Sequence, residues 1–153
     1  MNKYKRKPIF IHIDGPDKTG KDSVRVRVVQ LSEGSIMTVV RSYISQISYL
    51  IIYDRSEEHV DKFFDMWHKA YLAGERFVFI DCNYETVKER FIAHNEQDLA
   101  IEDWKSQREV FLKVIERGEK MGIKVKKYDT TVDTIEQSAI KIIKDITQWE
   151  NYL

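Results

Sequence analysis

The segment Ile9-Phe10-Ile11-His12-Ile13-Asp14-Gly15-Pro16-Asp17-Lys18-Thr19-Gly20-Lys21-Asp22-Ser23 joins two signals of different origin. Its first five residues form a β-branched and aromatic run that stops at a Gly-Pro turn, as a buried strand does. Gly15, Gly20 and Lys21 then supply the glycine-and-lysine skeleton of a phosphate-binding loop. Glycines at these positions let successive backbone N–H groups turn inward around phosphate oxygens. Lys21 is spaced to reach the outer phosphates, and a helix that follows would aim its positive end at the anion. An ordinary glycine turn is the bland alternative, and the strand placed directly before the loop speaks against it. One position departs from the pattern. The residue after the lysine is normally Ser or Thr, whose hydroxyl helps to hold magnesium. Here it is Asp22, with Ser23 one place later. A carboxylate is a good ligand for a hard cation, but it also repels phosphate, and the sequence leaves both readings of Asp22 open.

Outward from this loop the chain alternates between the two kinds of element. Residues 23–31 suit a helix ending near Gly34, although the Val24, Val26, Val28 alternation equally suits a strand. Residues 36–40 and 49–53 read as the second and third strands, the latter running into Asp54-Arg55-Ser56. Val60, Phe63, Phe64, Trp67 and Tyr71 recur at helical spacing over 57–72 and predict a buried face, with Gly74 as the stop. Residues 77–80 make a fourth strand. Helices are expected over 84–92 and 101–121, bridged by polar residues that include His94. Gly122 ends the second of these, residues 123–125 open a fifth strand, and Asp133 reads as the N-cap of a last helix. Alternation of this kind predicts an α/β fold in three layers, a mostly parallel five-stranded sheet flanked by helices. In such sheets ligands lie beyond the carboxyl ends of the strands.

Bulk properties narrow the function classes. A chain of 153 residues suits one domain, 1–153, with a proper core. Basic and acidic side chains balance at 25 each, so overall charge does not point to nucleic acid or to a membrane surface. Cys82 is alone, which excludes an intramolecular disulfide, and four scattered histidines argue against zinc. The basic start carries too short an apolar run for a signal peptide or a membrane span, so the expected location is cytoplasmic.

With these motifs in hand, the chain resembles the thymidylate kinase family of P-loop nucleoside and nucleotide kinases, and beyond it the deoxynucleoside kinases. The resemblance implies ATP and Mg2+ as cofactors, with Gly15, Asp17, Thr19, Gly20, Lys21, Asp22 and Ser23 around the phosphates. By the same resemblance Asp17 contacts the acceptor's sugar hydroxyl and Lys18 the transferring phosphate. Asp54-Arg55 is similar to the family's Asp-Arg motif, which makes Arg55 the clamp on the acceptor phosphate and puts Asp54 beside the metal with Asp22 and Ser23. Arg41 matches an acceptor-binding position, and Thr130, in Tyr128-Asp129-Thr130-Thr131, the loop beside the donor's adenine. A solvated ion pair is the bland reading of Asp54 and Arg55. The family's long helices between its second and third strands have no counterpart here, since only residues 42–48 separate Arg41 from the expected third strand.

These features predict phosphoryl transfer from ATP to a deoxynucleoside monophosphate, with Lys21, Lys18 and Arg55 as catalytic groups. If the acceptor is instead a hydroxyl, on a deoxynucleoside or a hydroxymethylated pyrimidine in DNA, the resemblance to deoxynucleoside kinases makes Asp14 the candidate base; a strand-end residue that caps the loop is its equal alternative. A non-catalytic nucleotide-binding module is the third reading, motivated by Asp22 and the shortened middle. The family habit of pairing implies a homodimer, and nothing implies a membrane partner. Trp67, Phe63, Phe64 and Tyr71 read as core and Cys82 as a small core filler, while Trp104, beside the segment that matches the family's lid, reads as packing, with stacking on a base as the alternative.

Overall fold

The computed structural model describes residues 9–40, 42–93 and 98–150. The elements run β1 (Ile9–Asp14), α1 (Lys21–Leu31), β2 (Ile36–Val40), α2 (Tyr43–Ile52), α3 (Glu57–Leu72), β3 (Arg76–Asp81), α4 (Tyr84–Ala93), α5 (Asp98–Lys120), β4 (Val125–Asp129) and α6 (Ile135–Glu150). The strands pair in parallel throughout, in the order β2-β1-β3-β4. Strands β1 and β3 lie in the middle and are covered on both faces, which is why they read as unbroken apolar runs. On one face Ile11, Ile13, Val78 and Ile80 pack under Val24 and Val28 of α1 and Ala139, Ile142 and Ile146 of α6. On the other, Phe77 and Phe79 pack under Ile44 and Ile47 of α2, Phe64 and Trp67 of α3, and Phe111 and Ile115 of α5. The three-layer α/β architecture is therefore present.

The ambiguous valines resolve as a helix. Val24 and Val28 are fully buried one turn apart, while Val26 points outward. The third strand expected over residues 49–53 is not there: these residues belong to α2 and its end, so among the described residues the sheet has four strands and not five. Two helices, α2 and α3, therefore lie between β2 and β3, an interval expected to have no helical counterpart. Buried residues Ile44, Ser45, Ile47 and Ser48 follow helical spacing, and that stripe begins upstream of the apolar run that resembled a strand. Ser48 satisfies its buried hydroxyl on the Ile44 carbonyl at 2.6 Å, one helical turn back.

Helix α2 then stops without a glycine. Asp54 takes a left-handed φ of 54°. Its N–H bonds Ile51 O at 3.0 Å, and Arg55 N–H bonds Leu50 O at 2.8 Å. This is the paired closure of a Schellman turn, so Asp54-Arg55 is a helix terminator and not the end of a strand. The start of α6 also differs from expectation. Thr134, not Asp133, caps it. The Gln137 N–H donates to Thr134 Oγ1 at 3.1 Å, and the Thr134 N–H to Gln137 Oε1 at 2.9 Å, a reciprocal capping box. Asp133 pairs with Lys141 Nζ at 2.5 Å instead.

Parallel pairing places the turns after β1, β3 and β4 at one end of the sheet, where the candidate site forms. Among the described residues no helix is long and apolar enough to cross a membrane.

Candidate functional site

The turn after β1 is held in shape from outside. Gly15 lies so close to β3 that a Cβ there would stand 2.3 Å from the Ile80 carbonyl oxygen, a position that only glycine can take. Four successive carbonyls then accept side-chain hydrogen bonds. Pro16 O takes Thr19 Oγ1 at 2.8 Å. Asp17 O takes Trp104 Nε1, from α5, at 2.8 Å. Lys18 O takes Arg90 Nη1, from α4, at 2.6 Å. Thr19 O takes the Thr130 hydroxyl, from the turn after β4. In a trans peptide the N–H points opposite to its carbonyl. The carbonyls of residues 17–19 turn toward α5, α4 and the β4 turn, so the amides of residues 18–20 point away from those elements, while Pro16 O is satisfied within the loop. Gly20, at φ 87°, completes the turn and starts α1.

A cavity of about 660 Å³ opens there, lined by Asp17, Lys18, Gly20, Lys21, Asp22, Ser23, Arg90 and Ile135. Lys21 is nearly buried; its ammonium bonds Gly15 O at 2.6 Å and lies 3.7 Å from Asp17 Oδ1. Three cations, Lys18, Lys21 and Arg90, face two carboxylates, Asp17 and Asp22. A turn, the start of a helix and a lysine at one concave surface are the elements from which a cradle for a polyanion can be built. Asp22 and Ser23 share this wall and suit a magnesium ion, which needs only one or two protein oxygens when phosphates and water supply the rest. Among the described residues no group of three or more His, Cys, Asp or Glu side chains is placed to hold a metal alone.

Of the loop residues expected from the sequence, Asp17, Lys18, Gly20, Lys21, Asp22 and Ser23 line this cavity, while Thr19 is buried behind it and Gly15 is packed against Ile80. Thr130 is buried, and its side chain positions the loop by bonding Thr19 O. Asp54 and Arg55 are different: both are exposed in the turn between α2 and α3, and neither lines the cavity. Arg41 and His94 lie outside the described residues. Arg90 and Trp104 were not foreseen as loop braces, because nothing local in the sequence shows which carbonyls they reach. Trp104 does pack, being 2% exposed among Cys82, Val87 and Phe91.

Asp14, at the carboxyl end of β1, is fully buried. Burial pushes its carboxyl above the ordinary range, opposed by hydrogen bonds from Ser45 and Ser42 and by the charges of His12 and Lys21. Its Oδ1 accepts the Ser42 N–H at 3.0 Å and the Ser45 hydroxyl. Ser42 Oγ also meets His12 Nδ1, and His12 Nε2 lies 2.6 Å from Glu75 Oε1. The sequence showed His12 only as one member of an apolar strand, and Ser42 and Ser45 only as polar breaks in an apolar stretch.

No protein-family model matches the chain, and no curated protein matches it. Among solved structures it is similar to the YorR protein from Bacillus subtilis, determined in complex with phosphorylated GDP, with a TM-score of 0.74. The match spans 94% of this chain and 98% of that one at 16% sequence identity, a likeness of fold.

Proposed function

We propose that this protein transfers the terminal phosphoryl group of ATP to a deoxynucleoside monophosphate. The observation that carries the reading is the run of four capped carbonyls from Pro16 to Thr19, which fixes the loop's shape beside Lys21 and leaves those carbonyls out of competition with an anion for the loop's amides. The similarity in fold to a protein solved with a phosphorylated guanine nucleotide supports a nucleotide ligand.

Phosphoryl transfer asks for in-line positioning and neutralised charge more than for covalent work by the protein. The loop amides and Lys21 would hold the β- and γ-phosphates of ATP. Asp22 and Ser23 would hold the magnesium ion, which supplies further neutralisation of the phosphate oxygens when bound. Lys18, on a backbone turned to φ 63° at the cavity mouth, would meet the transferring group. Arg55, the clamp expected from the sequence, sits in the exposed turn after α2, so the acceptor phosphate falls to the cations lining the cavity.

Asp14 supports a second reading, a hydroxyl acceptor. Its Oδ2 is buried and has no hydrogen-bond partner among the described residues, and burial raises its affinity for a proton. Both properties suit a base that accepts a proton from an alcohol.

The test is transfer from labelled ATP with magnesium to a panel of deoxynucleoside monophosphates, free deoxynucleosides, and DNA with and without hydroxymethylated pyrimidines. Transfer to a monophosphate is expected. Lys21→Ala should slow it roughly a hundredfold or more, as loss of a charge-stabilising group does, with little change in melting temperature. Unchanged turnover in that variant would sink the assignment. Transfer to hydroxyl acceptors alone, abolished by Asp14→Asn, would establish the second reading. Bound ATP without transfer to anything would leave a nucleotide-binding module.

A further inference from the structure

The buried polar chain behind Asp14 lies outside the loop and is continuous. Glu75, in the turn before β3, meets His12 of β1, and His12 meets the hydroxyl of Ser42. The imidazole is 6% exposed and stacked on Phe77 with ring centroids 4.8 Å apart, which fixes its plane. Tyr43 completes the cluster, its ring 5.7 Å from that of His12 and 6.1 Å from that of Phe77. Ser42 is the N-cap residue of α2, but its side chain caps nothing in that helix, being committed to His12. Its backbone N–H goes to Asp14 Oδ1, where the Ser45 hydroxyl also arrives. Both donors from α2 therefore converge on one carboxylate oxygen. Oδ2 stays buried without a partner among the described residues, a condition that is costly unless a ligand or water supplies a donor.

The loop is braced by a separate set, Arg90, Trp104 and Thr130, from α4, α5 and the β4 turn. We propose that Ser42, His12 and Glu75 are positioning residues for the acceptor half of the site. They hold the start of α2 against Asp14 so that Oδ2 is kept for a hydrogen-bond donor on the acceptor. This rests on the kinase reading above. Because the two braces share no residue, loosening the His12 chain affects the acceptor and leaves ATP alone.

Ser42→Ala, His12→Gln and Glu75→Gln are compared with the unaltered protein in two measurements. The first is the KM for ATP and for whichever acceptor of the panel is phosphorylated. The second is amide hydrogen exchange over residues 43–48 and 16–21. Ser42→Ala and His12→Gln are expected to raise the acceptor KM about tenfold and to leave that for ATP within about twofold, the size of one lost hydrogen bond to a charged group. Exchange should quicken over 43–48 and stay unchanged over 16–21. Glu75→Gln, which keeps an acceptor for His12, should stay near the unaltered protein in both. An acceptor KM that does not move, or one that rises together with the KM for ATP, overturns the proposal. So does unchanged exchange over 43–48 in both Ser42→Ala and His12→Gln. If the unaltered protein phosphorylates nothing, the kinase reading fails by itself, and the exchange pattern still decides whether the chain positions α2.

Discussion

Asp22 stands at the cavity wall where a phosphate-binding loop usually has a hydroxyl. If the cavity holds ATP, as proposed, its charge would repel the bare nucleotide and attract the magnesium complex. Asp22→Asn should therefore tighten binding of metal-free ATP and weaken the gain from magnesium, each by roughly two- to fivefold for a solvent-exposed charge. Calorimetric titrations with and without chelator would show it, and an unchanged ratio between the two affinities would remove Asp22 from metal binding. Asp14 leads to a stability prediction. Burial lifts its folded-state pKa above the ordinary 3.8. Between those two values the unfolded chain releases a proton that the folded protein keeps, so stability falls as pH rises across that window. Asp14→Asn, which can still accept from Ser42 and Ser45, should raise the melting temperature at neutral pH. The advantage should vanish as pH falls below the ordinary carboxylate range. A gain that is the same at every pH would show that the cause is not ionisation. A functional carboxylate bought at the expense of stability is a common trade at active sites.

At the scale of elements, α5 crosses α3 through a glycine. A Cβ on Gly118 would stand 2.4 and 2.5 Å from two atoms of the Trp67 ring, itself fully buried. Gly118→Ala sets a helix-propensity gain of up to about 1 kcal/mol against overpacking of about 1–3 kcal/mol. The rigid indole cannot swing away in a closed core, so net destabilisation is expected, read as a lower urea midpoint; a raised midpoint would show that the two helices separate easily. Helix α2 shows where local reading reaches its limit. Tyr49, Leu50, Ile51, Ile52 and Tyr53 form an apolar run that suits a buried strand as well as a buried helix. What separates the two is the partner, since Ile44 and Ile47 dock on Phe79 and Phe111 and no free sheet edge receives a strand there. Its end was illegible for a different reason: Asp54 takes the left-handed turn that glycine announces at Gly74 and Gly122.

For the whole molecule, the cradle ties together β1, α1, α4, α5 and the turn after β4, so a bound nucleotide should stabilise the entire fold. ATP with magnesium at a hundred times its dissociation constant would add about 2.7 kcal/mol, seen as a rise in melting temperature. Lys21→Ala should lose most of that rise, and no rise in the unaltered protein would remove nucleotide binding altogether. The sheet order also reassigns the centre of the site. Strand β2 pairs with β1 and delivers Ser42 to Asp14, whereas the Asp54-Arg55 pair that resembled a strand-end motif lies in an exposed turn beyond α2.

From the sequence alone came what depends on neighbours along the chain: the strand into Gly15, the glycine-lysine loop, the amphipathic helices and the glycine stops. Each is set by backbone freedom or by spacing within a few residues. Only the tertiary structure could decide which carbonyls Arg90, Trp104 and Thr130 cap, that Asp14 is buried with one open oxygen, and that β2 lies beside β1. Those features arise where residues 27 to 111 positions apart meet, and desolvation and pairing at such contacts leave no periodic trace in the chain.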